Sequence, residues 1–129
     1  MIARAAVQQL FDQLRQQGID SEQELMWNYY FTDEDNREKL QKSVPILEAD
    51  GYNFVSIYLA EPGGEPTVVD GREYKNPPLY ALQVQKLEAH TIHSLERRNH
   101  LLQDFADEND LFSYDGMSVG TKTGAPFKP

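Results

Sequence analysis

The histidines give this chain its first candidate for chemistry. His93, His100 and Asp104 share one face of a predicted helix, because each residue advances by about 100° around the helix axis. Imidazole and carboxylate groups are ligands for divalent metals. Arg97 lies on the same face, however, and its charge would repel a cation. We therefore expect a solvated polar helix face here, with no metal and no cofactor.

The remaining motifs favour a protein that is not an enzyme. The segment from Gly116 to Thr123 superficially resembles a phosphate-binding loop, but Thr121 stands where the glycine before Lys122 is needed. The chain contains no cysteine, which excludes thiol nucleophiles, disulfides and thiolate metal sites. Carboxylates are plentiful, yet no pair has a spacing that identifies a general acid and base. No catalytic residues are therefore predicted.

The charge of the chain is negative and unevenly distributed. Its 129 residues include 12 Lys and Arg and 21 Asp and Glu, for a net charge of −9. Residues 19–71 contain the excess, with twelve acids and three bases. Because nucleic-acid binding depends largely on Lys and Arg, direct binding of nucleic acid is not expected. The acids either keep the surface solvated or form a docking face for a basic protein.

A group of acids at the start of the predicted second helix is the candidate docking site. Thr32 is expected to cap this helix with its hydroxyl, and acids in the first turn are favoured by the positive end of the helix dipole. The acids are Asp33, Glu34, Asp35 and Glu38. We expect a basic partner to contact this group.

Tyr30 supports an alternative function. It belongs to an aromatic segment that predicts a strand, and an aromatic ring on an open sheet can stack on a base of single-stranded RNA. The third predicted main strand carries Gln83 and Gln85 where such a module needs aromatic residues. Because these glutamines do not suit base stacking, a small-ligand or single-stranded RNA-binding domain is the second hypothesis and not the first.

Hydrophobic periodicity predicts the elements that position these residues. Helices are predicted over 2–17, 33–50 and 91–109, and main strands over 24–31, 52–60, 79–88 and 111–119. Gly18 and Gly51 are expected to end the first two helices in left-handed caps. Pro45 predicts a kink or a break of the second helix near Ser43. Residues 61–78 predict a long connection, in which Asp70 and Gly71 can turn a small projecting hairpin.

This order of elements predicts one α+β domain over residues 1–119. A helix is followed by two βαβ units, which favours a ferredoxin-like βαββαβ sandwich with an extra N-terminal helix. The small residues of 120–129 predict a mobile tail. No segment is long and apolar enough to cross a membrane, and the N-terminus lacks the pattern of a signal peptide, so a cytoplasmic protein is expected.

The same order, together with Gly51–Tyr52 and with Tyr114, Asp115 and Gly116 near the end, resembles the bacterial RraB family, the regulators of ribonuclease E activity B. The resemblance covers about residues 5–119. It implies an acidic, cytoplasmic, ferredoxin-like protein that binds ribonuclease E and restrains RNA decay without cutting RNA. It also makes Tyr114, Asp115 and Gly116 candidates for partner contact, and ribonuclease E the candidate basic partner.

Overall fold

The structure is a computed structural model that describes residues 2–35 and 37–122. Within these ranges the chain forms three helices and six strands. They are α1 Arg4–Gln16, β1 Leu25–Glu34, α2 Glu38–Ala49, β2 Asn53–Glu61, β3 Gly64–Val69, β4 Arg72–Asn76, β5 Leu79–Glu88, α3 Ile92–Glu108 and β6 Ser113–Gly120. The predicted α+β class is confirmed. In the predicted tail, Gly120 ends β6, and residues 123–129 lie outside the described ranges.

The larger sheet has four antiparallel strands in the order β2-β5-β1-β6. β1 pairs with β5 along its whole length, from Leu25 opposite Glu88 to Glu34 opposite Leu79. On its other side β1 pairs with β6. The central strand therefore has neighbours on both sides, and β2 and β6 form the two edges.

The helices cover one face of this sheet. Trp27, Tyr29 and Phe31 alternate along β1 toward the helices and are fully buried. Phe11 of α1 stacks near Trp27, with ring centroids 6.3 Å apart, and Phe105 of α3 meets Phe31 edge-on at 5.6 Å. The hydrophobic core thus lies between β1 and the helices, on the face that the alternation of aromatic residues predicts.

The predicted helix ends are largely confirmed. Gly18 has a φ of 72°, and the Ile19 N–H donates to the Leu14 carbonyl at 2.9 Å, as in a Schellman cap. The Thr91 hydroxyl accepts from the Ser94 N–H at 3.1 Å, while the Ser94 hydroxyl accepts from the Thr91 N–H at 2.8 Å. This capping box fixes the start of α3.

The predicted start of α2 is wrong. Thr32 does not cap this helix, because β1 continues to Glu34 and α2 begins at Glu38. The Thr32 hydroxyl instead lies 2.7 Å from the Ser113 hydroxyl on β6. Pairing with strands on both sides extends β1 through the acidic residues, and this tertiary contact outweighs the local capping signal.

Of the kink or break predicted near Ser43, the break is wrong, because α2 runs through Pro45 without interruption. Pro45 removes one backbone donor, which leaves the carbonyl of Gln41 without its usual helical bond. Both residues are exposed, so water can solvate that carbonyl. The cost of the proline is therefore smaller than in a buried helix.

The hairpin predicted within residues 61–78 is confirmed. β3 and β4 pair with each other in a separate two-stranded sheet and are exposed along their whole length. Asp70 and Gly71 join them with φ angles of 52° and 77°. Two positive φ angles are typical of a type I′ turn, which matches the twist of the strands.

Gly116 is a position where the backbone requires glycine. It has a φ of 111°, at a bulge where Tyr30 pairs with Gly116 and Phe31 pairs with Tyr114. A Cβ at this position would lie 3.1 Å from Cδ1 of Ile2.

Gly116→Ala is expected to lower the free energy of unfolding by about 1–3 kcal/mol, because alanine is strained at this φ. Urea denaturation measures the effect. Gly64→Ala is the control, because Gly64 has no atom within 4 Å of an added Cβ and no positive φ. Equal stability losses in the two variants would contradict the assignment of strain to Gly116.

Candidate interaction surface

The acids between residues 19 and 71 do not form one surface. Glu24 directly precedes β1 and Glu34 ends it, so about 33 Å separate them at a rise of about 3.3 Å per residue. Asp20 and Glu22 lie near Glu24, in the connection between α1 and β1. Folding therefore divides the acidic segment between the two ends of the sheet.

At the end of the sheet where the hairpin emerges, acids from distant parts of the sequence come together. Leu79 of β5 pairs with Glu34 on one side and with Glu61 on the other. Glu34 and Glu61 both line a cleft of about 540 Å³ at the base of the hairpin. Lys75 and Phe112 lie on the same cleft, and Phe112 is 57% exposed. The exposed acids Glu34, Asp35, Glu38 and Glu61 are called the acidic end below.

Two cations near the acidic end form ion pairs with groups other than Glu34 and Glu61. Lys39 Nζ lies 2.9 Å from Asp110 Oδ2, and this pairing lowers the pKa of Asp110 and raises the pKa of Lys39. Lys42 Nζ lies 3.2 Å from Glu38 Oε1. Within the described ranges, neither Glu34 nor Glu61 makes an ion pair. Lys75 shares their cleft but forms no ion pair with either, so both carboxylates remain outside any ion pair in the described part of the chain.

Asp33 lies apart from the other predicted docking acids. It is only 6% exposed, and its Oδ1 accepts a hydrogen bond from the Phe112 N–H at 3.2 Å. It holds the segment before β6 against β1. Glu34, Asp35 and Glu38 are exposed, so they form the accessible part of the predicted group.

The motif Tyr114–Asp115–Gly116 attaches β6 to the core. Tyr114 is 3% exposed, and its hydroxyl donates to Asn99 Oδ1 on α3 at 2.6 Å. Burial raises the pKa of Tyr114, so its hydroxyl keeps its proton. Gly116 is buried at the bulge, whereas Asp115 is exposed and accepts a hydrogen bond from the Ser113 hydroxyl. Of the three residues, Asp115 is the one that a partner can reach directly.

Tyr30 lies on the sheet face opposite the helices, where polar side chains hydrogen-bond to one another. The Tyr30 hydroxyl is 2.9 Å from the Ser118 hydroxyl on β6. Gln83 Nε2 donates to Asn28 Oδ1, also at 2.9 Å. These groups already have partners, so a ligand on this face would gain little from them, although the ring of Tyr30 is half-buried and can be reached.

A buried polar network joins four segments beneath the helices. Glu88 Oε1 accepts from Arg98 at 2.8 Å, and Glu88 Oε2 accepts from the Tyr29 hydroxyl at 2.6 Å. His90 Nε2 lies 3.1 Å from the same Oε2, and Arg98 also donates to the Tyr52 hydroxyl. The sequence analysis missed this network, because no spacing along the chain relates its members.

The network sets the charge states of Glu88 and Tyr29. Burial raises the pKa of Glu88, but hydrogen bonds from His90 and Tyr29 and the charge of Arg98 outweigh burial, so this pKa lies below its ordinary value. Burial and the hydrogen bond to Glu88 raise the pKa of Tyr29. At neutral pH, Glu88 is ionised and the Tyr29 hydroxyl keeps its proton.

Part of this network superficially resembles a catalytic triad. His90 Nδ1 lies 2.8 Å from the Ser94 hydroxyl, and His90 Nε2 faces Glu88. The Ser94 hydroxyl, however, already bonds to the backbone of Thr91 in the capping box. His90 is 4% exposed and meets the Trp27 ring edge-on at 4.9 Å. The arrangement anchors the start of α3 to β1 and β5, with the Ser94 hydroxyl engaged in the helix cap.

The fold and these surfaces define a small α+β protein with exposed carboxylates at one end of its sheet and with exposed strands. Across residues 2–35 and 37–122, no group of His, Cys, Asp and Glu is arranged to hold a metal ion, and no helix has the length and hydropathy to span a membrane. The family model described as regulator of ribonuclease activity B matches residues 4–119. The chain belongs to this family, RraB, and the resemblance found in the sequence is confirmed. A search of curated proteins found no match to the chain.

Glu88→Gln is expected to lower the free energy of unfolding at pH 7 by about 3 kcal/mol, because Arg98 loses the charge that compensates it in a mostly buried site. The matched control is Glu108→Gln on the exposed face of α3. Urea denaturation of both variants measures the difference.

The effect of Glu88→Gln is also expected to depend on pH. Because the folded-state pKa of Glu88 lies below its ordinary value of 4.5, its stabilisation is complete above pH 4.5 and is lost as the pH falls through the folded-state pKa. The gap between the parent protein and the variant should therefore narrow progressively as the pH falls below 4.5. A gap that stays constant down to the pH at which the parent protein unfolds would contradict the ionised state of Glu88.

Proposed function

We propose that this protein restrains RNA decay without catalysis, by binding a basic segment of a ribonuclease at its acidic end. Ribonuclease E is the proposed target. The observation that carries the proposal is the juxtaposition of Glu34 and Glu61 on either side of Leu79, with no ion pair to either carboxylate within the described ranges. Membership of a family of ribonuclease regulators supports the same target.

The proposed mechanism is competition for basic surface. A ribonuclease segment rich in Lys and Arg gains its affinity for RNA by neutralising phosphates. Carboxylates held by a rigid sheet end offer that segment an alternative anionic site, and the net charge of −9 accelerates encounter at low salt. Asp33, Tyr114 and Gly116 contribute by holding β6 and its bulge in place, and Asp115 extends the accessible acids along β6.

We also propose a ferredoxin-like assignment for the core. The strand order β2-β5-β1-β6 supports it, because counting only the strands of the larger sheet gives the order 2-3-1-4 with antiparallel neighbours. On this assignment α1 and the β3–β4 hairpin are additions to the βαββαβ core. A target that acts on bacterial RNA supports a cytoplasmic location.

Reversing the charges at both positions, Glu34→Lys with Glu61→Lys, is expected to weaken binding to purified ribonuclease E scaffold about tenfold at low salt, mainly through the association rate. The matched control is Glu22→Lys with Glu24→Lys, which changes the net charge equally at the far end of the sheet. Surface plasmon resonance at several salt concentrations gives both rate constants.

Three outcomes would contradict the proposed site. The scaffold could fail to bind at low salt, its binding could be insensitive to salt, or the two double variants could lose the same affinity. The last outcome would assign the effect to net charge and not to the acidic end.

A small-ligand or RNA-binding domain is the second candidate, favoured by Tyr30 and Tyr58 on the uncovered sheet face. If a base stacks on Tyr30, Tyr30→Ala costs about 1–3 kcal/mol of binding free energy. Tyr74→Ala on the exposed hairpin is the control. A fluorescence titration with oligoribonucleotides that shows no binding, or equal binding by both variants, would exclude stacking on Tyr30.

A further inference from the structure

The two edges of the larger sheet differ in how they are protected. Edge strands usually carry charges, prolines or bulges that discourage pairing with another chain. β6 carries Asp115 and a bulge at its middle, and Ile2 lies over Gly116. β2 is also bulged, but it has no charged residue and no proline between Asn53 and Ala60. β2 therefore lacks the charge that helps to protect β6 from pairing with another chain.

β2 also exposes apolar side chains on both of its faces. Four of them are 39–51% exposed, namely Phe54, Val55, Tyr58 and Leu59. Tyr58 pairs with Ala81 and so faces the uncovered side of the sheet, whereas Leu59 pairs with Tyr80 and faces the helices. An added strand could thus contact apolar side chains above and below the plane of the sheet.

Bulges limit the length of β2 that can pair in one register. The register with β5 shifts between Phe54 and Ser56 and again between Leu59 and Glu61. The regular stretch between them is Ser56–Leu59. Because a bulge locally disrupts the ladder and bends the strand, a long continuous sheet of many chains is disfavoured while a short added strand still fits.

The charges at the ends of β2 indicate what would occupy this edge. Glu48 and Asp50 precede the strand at the end of α2, and Glu61 and Glu65 follow its neutral stretch. All four are exposed. A second copy of this chain, with the same net charge of −9, would be repelled, whereas a segment with an apolar centre and basic flanks would be complementary in both charge and hydropathy.

We propose that β2 is a docking edge for a short extended segment with an apolar centre and Lys or Arg at its flanks, which adds to the sheet as a fifth strand. The proposal rests on the proposed function and deepens it, since it gives the form in which a basic partner binds. Main-chain hydrogen bonds along Ser56–Leu59 provide affinity, and Glu61 at the acidic end is continuous with the charge that attracts the partner.

The test uses a synthetic probe, so that it does not depend on ribonuclease E. The probe is an extended peptide about nine residues long, the length of β2, with Val at its central positions and Lys at both ends. A second peptide has the same sequence but carries N-methyl groups on the backbone amides of one edge. Both peptides have the same side chains and charge, and the second has lost main-chain donors.

Binding of the probe is expected to slow hydrogen exchange at alternate amides of β2, because alternate amides of an edge strand point away from the sheet. N-methylation is expected to weaken binding about tenfold through loss of main-chain hydrogen bonds. Val55→Lys should weaken binding by a similar factor, while Val68→Lys on the hairpin, with the same charge change, should leave it unchanged. The exchange and N-methyl measurements use the parent protein, so they test the proposal even if a variant fails to fold.

Equal binding of the two peptides, or protection confined to the helices or the uncovered sheet face, would overturn the proposal. So would a free protein that is dimeric with its β2 amides already protected, because the occupant would then be a second copy. If ribonuclease E binds without protecting β2, the edge proposal fails and the proposed function stands. If the probe pairs with β2 but ribonuclease E does not bind, the proposed function fails instead.

Discussion

The pairing of β1 on both sides is the constraint on which the rest of this structure depends. β5 and β6 hold the strand from Leu25 to Glu34 in register, so its side chains must alternate between the helices and the uncovered face. Trp27, Tyr29 and Phe31 thereby reach the core. The same pairing carries the strand through Asp33 and Glu34, which delays the start of α2 and puts the acidic end at the rim of the sheet.

This arrangement separates a carboxylate that stabilises the fold from carboxylates that stay exposed at the surface. Glu88 is compensated by Arg98, His90 and Tyr29 beneath the helices, so its charge is satisfied within the molecule. Glu34 on β1 and Glu61 on β2 flank the opposite end of β5, where neither forms an ion pair within the described ranges. The carboxylate at one end of β5, Glu88, is thus paired within the molecule. The two beside its other end, Glu34 and Glu61, are exposed to solvent.

The sequence could predict the features that local patterns encode. Alternating aromatic residues in β1, the capping glycine at Gly18 and the turn at Gly71 are short-range signals, and each gives the local structure expected. Thr32 carried two competing signals, a helix cap and a strand residue, and only pairing with β6 decides between them. The positions of Glu34 and Glu61 on either side of Leu79 and the network around Glu88 depend on strand register and helix packing, which no local spacing encodes.

The central claim is that Glu34 and Glu61 receive a basic segment of the ribonuclease. Zero-length carbodiimide cross-linking of the complex with ribonuclease E, followed by mass spectrometry of the joined peptides, tests it most directly, because it joins only carboxylates and lysines in contact. The account predicts cross-links from Glu34 and Glu61 to lysines of the ribonuclease. Cross-links confined to Asp20, Glu22 and Glu24, at the far end of the sheet, would contradict it.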